Sequence, residues 1–174
     1  MADPKHLVRA AVADDASCIV HPKNARSEIW MTRLSDQTGL TRVGVNLGRI
    51  APGKEAFVPH AHLHQEEWVF VVAGRGIALI GEERHPIGPG DFLGYPCDGT
   101  VHQLINDGAE DLVVLQGSER VAGDVGLFPT LGAIGIPMPH EGQMAYVEDR
   151  HVERIPFTRW IRDQGSDDSR DDED

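Results

Sequence analysis

Residues 59–74 read PHAHLHQEEWVFVVAG, and the reading of this stretch decides the fold. His60 and His62 stand one residue apart, Glu67 follows, and a run of valines and aromatics then ends at Gly74. Glu66 to Gly74 is the clearest strand in the chain, because β-branched and aromatic side chains suit a pleated, half-buried surface. Side chains alternate faces along a strand, so His60 and His62 point the same way. Glu67 lies past a short turn at 63–66 and can return its carboxylate to them. A fourth group comes from TVHQLIN (100–106), where Thr100, His102, Leu104 and Asn106 share a face. Imidazole nitrogens with one carboxylate oxygen form a ligand set that suits first-row transition ions.

Outward from this stretch the texture is that of short strands between turns. EIWMTRL (28–34) and TRVGVNLGRI (41–50) come before it, separated by a turn at Asp36 to Gly39. After it, Gly74-Arg75-Gly76 makes a hairpin into IALIG. Gly81 to Arg84 turns again, and so does His85 to Gly90. DFLGYP, TVHQLIN and DLVVLQG complete a series spaced as in an all-β sandwich or barrel. Residues 1–27 read as a polar lead-in with a short helix near 6–12, and the barrel domain is expected over 28–160. Within it, 119–143 is Gly/Pro-rich and aperiodic, so it is expected as a long functional or covering loop. AYVED and HVERIPF add one or two late strands. The acidic run 165–174, GSDDSRDDED, is expected to be disordered.

The two histidine segments resemble the two motifs of the cupin superfamily. The first motif, G-x5-HxH-x3–4-E-x6-G, is matched by Gly53, His60, His62, Glu67 and Gly74. The second, G-x5-P-x-G-x2-H-x3-N, is matched by Gly90, Pro96, Gly99, His102 and Asn106. Each departs by one residue, six between Gly53 and His60 and two between Pro96 and Gly99, in turns that leave the ligand spacing intact. The resemblance covers roughly residues 41–118. It implies a double-stranded β-helix, the jelly-roll barrel, with His60, His62, Glu67 and His102 as ligands of one divalent transition ion: Fe, Mn, Ni or Zn. It implies no single reaction, because one fold hosts many chemistries.

Several neighbours carry secondary expectations. His64 shares the parity of His60 and His62, and Glu66 adjoins Glu67; both are candidates for moving protons. The resemblance implies Glu67 over Glu66, because Glu67 lies seven residues before Gly74 as in the first motif. With Glu67 inward, Val69 and Val71 also face the interior, while Trp68, Phe70 and Val72 form an outer face too apolar for water. A second copy of the chain is expected to cover it, giving a homodimer; the alternative cover is residues 119–160. Arg42 and Arg49 could hold an anionic group at the barrel mouth, though a solvated surface suits both. Tyr95 and Cys97 flank Pro96 and are candidate pocket-lining groups, though packing suits each better; His140 reads as a loop histidine.

Composition narrows the function. The chain has 174 residues and a net charge of −12, which repels phosphate backbones and anionic lipid and argues against nucleic-acid or membrane partners. Two cysteines make no disulfide framework, and no segment approaches 18 apolar residues, so the cytoplasm is the expected compartment. No GxSxG supports serine hydrolysis. The expected function is that of a metal-binding barrel acting on a small polar metabolite, with metal-dependent oxidoreductase or dioxygenase chemistry first. The alternatives are sugar or sugar-phosphate isomerase or epimerase chemistry, and non-catalytic binding of a small ligand.

Overall fold

The structure is a computed structural model, described for residues 6–9, 16–138 and 143–156. Strands dominate it, as the alternating pattern requires. One layer runs in the order β1 (Ser17–His21), β2 (Asn24–Arg33), β3 (Val43–Ile50), β10 (Leu112–Glu119), β5 (Glu67–Ala73) and β8 (Phe92–Tyr95). The facing layer runs β7 (Glu83–Ile87), β6 (Gly76–Ile80), β9 (His102–Ile105) and β4 (Glu55–His62). β4 is extended by β11 (Gly126–Phe128), β12 (Ala133–Met138) and β13 (Gln143–Glu148). A parallel contact between Ser27 and Glu55 joins the two layers. A single helical turn, α1 (Leu34–Thr38), closes on Gly39 in the left-handed region.

The core lies between the layers. Ile29, Ile50, Val71, Leu112 and Val114 are almost wholly enclosed, with Ala78 and Leu104 across from them. Along β5 the alternation is plain: Val69 and Val71 are buried, whereas Phe70 and Val72 are 39% and 47% exposed. Gly74 ends this strand with φ +79°, and a Cβ there would collide with the Asp111 carbonyl and Leu112 Cα. Only glycine fits that turn.

The structure departs from the sequence expectation in three places. Strand β1 lies inside the lead-in, and residues 6–9 of the proposed helix near 6–12 are turn and coil. Glu83–Ile87 is a strand where turns were expected. Pro86 is tolerated there because β7 pairs with β6 alone and exposes its other edge. The stretch 119–143, expected as a loop, carries β11 and β12, whose glycines Gly126 and Gly135 make room for the Phe128 ring. Glycines that accommodate a ring look, in sequence, like glycines that make turns. These late strands lie beside β4 and leave the outer face of β5 uncovered, with Phe70, Val72 and Phe92 still exposed. The acidic run 165–174 and His140 lie outside the described residues.

Candidate metal centre

The end of β4 brings in two imidazoles. Between Ala56 and His60 its register against β9 shifts, and Phe57 takes the left-handed region at φ +58°. For a bulky side chain this is a strained backbone. Gln103 Nε2 donates to the Phe57 carbonyl at 2.9 Å and holds it there. Such bulges re-aim neighbouring side chains; here His60 ends up opposite His102 of β9. Glu67, the first residue of β5, reaches the same point from the other layer. Its Oε2 lies 3.2 Å from His102 Nε2, 3.5 Å from His62 Nε2 and 3.8 Å from His60 Nε2. One donor atom from each of the four residues falls within 4.8 Å of the others.

The hydrogen bonds around this cluster fix its chemistry. His60 Nδ1 bonds the Val58 carbonyl at 2.7 Å and His102 Nδ1 the Thr100 carbonyl at 3.2 Å. His62 Nδ1 bonds Asp124 Oδ2 at 2.5 Å. Carbonyl and carboxylate oxygens only accept, so each Nδ1 carries the proton and donates it. Each neutral ring then turns the bare lone pair of Nε2 inward, toward a carboxylate that is itself only an acceptor. Four acceptors facing one point repel unless something positive lies among them. A divalent cation satisfies all four at once, and the N/O donor set is one that first-row ions take.

Without a cation, protons on the Nε2 atoms answer the same demand: burial alone would push the Glu67 carboxyl up, but hydrogen bonds from protonated His102 and His60 and the charge of protonated His62 draw it well below the usual carboxylate range. Burial, opposed by the Glu67 contact, holds His102 below the ordinary histidine value. Gln65 Nε2 donates to Glu67 Oε1 at 3.1 Å, leaving Oε2 directed at the imidazoles.

The other sequence candidates lie elsewhere. His64 and Glu66 are exposed and do not line the central cavity. Their backbone N–H groups donate to Asp124 and Glu119. Arg49 pairs with Asp111 at 3.0 Å and lies over Trp30, and Arg42 is exposed. Neither lines the cavity. Asn106, the last residue of the second motif, is fully buried; it donates to the Ile50 and Glu110 carbonyls and accepts from Gly108 N–H. It pins the loop that follows β9.

Comparison with known proteins agrees with this geometry. Residues 46–116 match the Cupin domain family, Cupin_2. A candidate sugar phosphate isomerase from Acidithiobacillus ferrooxidans is 31% identical, with a TM-score of 0.81 over 87% of this chain and 97% of that one. The chain belongs to the cupin superfamily. A cupin sugar phosphate isomerase from Silicibacter pomeroyi is 25% identical, with a TM-score of 0.72 over 79% of this cupin and 89% of the other. A predicted oxalate decarboxylase from Thermotoga maritima, 22% identical at a TM-score of 0.56 over 66% and 99%, shares the fold. No curated protein matches the chain in sequence.

Two features of this cupin escape its motifs. Asp124, 5% exposed, sits just before β11 and accepts from both His62 Nδ1 and the His64 N–H. A lone aspartate in a Gly-rich stretch carries no sequence signal of such a role. β11 then runs beside the ligand strand, Gly126 opposite His62, and stacks Phe128 on His60 with centroids 6.1 Å apart. Tyr146 packs on Phe128 and bonds His21 at 3.1 Å, so the late strands wall one side of the centre.

Proposed function

We propose that this cupin holds one divalent transition ion through His60, His62, Glu67 and His102 and interconverts isomeric hydroxy-carbonyl compounds of the sugar or sugar-phosphate class. The observation that carries the reading is the pair of relatives, 31% and 25% identical along most of the chain, described as a candidate and a named sugar phosphate isomerase. Their likeness is joined to a cluster whose inward lone pairs suit a cation. Bound there, Fe, Mn, Ni or Zn would supply Lewis acidity to a carbonyl or hydroxyl oxygen.

The protein's own groups do the rest. Three Nδ1 anchors hold the imidazoles as neutral donors, and Glu67 supplies the fixed negative charge. Isomerisation moves one hydrogen from C2 to C1 and one proton between the two oxygens, with no outside oxidant. His64 and Glu66, which do not line the cavity, are the candidates to carry that proton by way of water. His64→Gln or Glu66→Gln should lower kcat by about a hundredfold or more in whichever variant removes the carrier.

The decisive experiment supplies pentose and hexose phosphates, and the free sugars, to metal-loaded protein and follows aldose–ketose exchange by NMR. Oxygen uptake by the Fe(II) form with a catechol or thiol panel, without exchange, would replace this reading with the dioxygenase. Neither activity, with stabilisation by sugars alone, would leave a binding module. Two exposed free cysteines suit a reducing cytoplasm. A second copy of the chain over Phe70, Val72 and Phe92 completes the proposal as a homodimer.

A further inference from the structure

Tyr95 holds a buried donor with nothing to bond. It sits on β8 opposite Glu67, so both side chains enter the barrel, and its ring lies flat on His102 with centroids 3.8 Å apart and planes 7° from parallel. The residue is 5% exposed, and its Oη is the one buried side-chain polar atom among the described residues without a hydrogen-bond partner. Stacking does not explain the hydroxyl, since a phenylalanine ring would stack as well. An unpaired buried hydroxyl is costly, and native structures keep one where a partner is yet to arrive.

The cavity lined by Tyr95, His60, Glu67 and His102 shows what that partner is. The layer that carries Glu67 and Tyr95 continues its wall through β10 and β3, where Gln116 and Asn46 are cross-strand partners and Ser118 lies beside Glu67. These groups are neutral, and among the described residues no lysine or arginine lines the cavity. Its volume is ≈ 50 Å³, too little for a whole sugar and enough for one small oxygen-bearing end. A phosphate placed here would find no lysine or arginine among the described residues to balance it.

We propose that this cavity takes the uncharged, hydroxyl- or carbonyl-bearing end of the ligand, with Tyr95 Oη donating a hydrogen bond to its bound oxygen, while any charged end stays outside. The inference rests on the metal reading above and adds which end of the substrate enters. Tyr95 touches the ligand and needs no change of charge to do so.

The test uses cobalt(II)-loaded protein titrated with acetohydroxamate, whose two adjacent oxygens on a planar frame mimic a hydroxy-carbonyl compound. The readout is the visible cobalt spectrum, with inorganic phosphate as the charged control. Tyr95→Phe should keep the wild-type cobalt spectrum and an equal or higher Tm, yet bind acetohydroxamate about tenfold more weakly, in line with one lost donor. Millimolar phosphate should leave the wild-type spectrum unchanged. Independently of any variant, the ring carbon bearing the Tyr95 hydroxyl should shift in the carbon-13 spectrum of the zinc form when acetohydroxamate is added. Equal acetohydroxamate affinity in Tyr95→Phe, no tyrosine shift, or phosphate binding better than acetohydroxamate would each overturn the inference while the metal reading stands. A wild-type protein that takes up no cobalt would overturn both.

Discussion

Each candidate ligand in this centre is set by what its far side touches. Glu67, and not Glu66, faces the imidazoles, so Glu67→Ala should abolish metal retention while Glu66→Ala leaves it intact, as elemental analysis of protein purified without chelator would show. Asp124 fixes His62 through Nδ1. Groups in that position commonly govern affinity 10–100-fold, so Asp124→Ala should weaken zinc binding by about that factor and Asp124→Asn by less, measured by competition with a chromophoric chelator. Protons compete at the imidazoles. His102 is held below 6.5, so the unfolded chain takes up its proton first, and the metal-free protein loses stability as pH falls below about 6.5. Glu67, drawn well below 4.5, stays ionised through that range. Metal affinity should therefore fall below about pH 6; full occupancy at pH 5 in a chelator titration would contradict this. At this scale the sequence told most about groups that adjoin one another. The pair His60 and His62 was legible from strand alternation, and Glu67 and His102 from the two motifs. Asp124 and the orphaned Tyr95 hydroxyl were not, because both acquire meaning only from partners far away in the chain.

The elements were legible wherever alternation was uninterrupted. β5 and its neighbours follow from valine and aromatic runs bounded by glycine. β11 and β12 do not, since Gly126 and Gly135 serve the Phe128 ring and Pro137 breaks the apolar count. The bulge at Phe57 is likewise invisible to a period-two reading, yet it sets where His60 points. Gly74 is the element-scale position most open to test. With φ +79° and the Asp111 carbonyl in the path of a Cβ, Gly74→Ala should cost ~2–3 kcal/mol from backbone strain, with more from the collision. Urea denaturation would read this as a lower midpoint at unchanged slope. A midpoint within error of wild type would mean that the β5–β6 turn relaxes freely.

Among the described residues, an apolar face on β5 and β8 lies bare. Phe92 is 66% exposed on the terminal strand β8 and stacks on Trp68, beside Phe70 and Val72. Aromatic patches of this kind mark interfaces. Light scattering should therefore return twice the 19.1 kDa chain mass, and Phe92→Glu should return the single mass with metal content unchanged. A wild-type monomer would remove the homodimer. The sequence located this face correctly but could not say whether residues 119–160 covered it, because that depends on where β11 docks.

The bond between His62 and Asp124 spans 62 positions of the chain, and synthesis makes the histidine long before its anchor. While the nascent polypeptide still lacks Asp124, the imidazole has no carboxylate to settle which nitrogen keeps its proton, and the wall carrying Phe128 does not yet exist. A metal bound here would therefore reach full affinity only once translation has passed β11, and a product truncated before Asp124 would hold it more weakly.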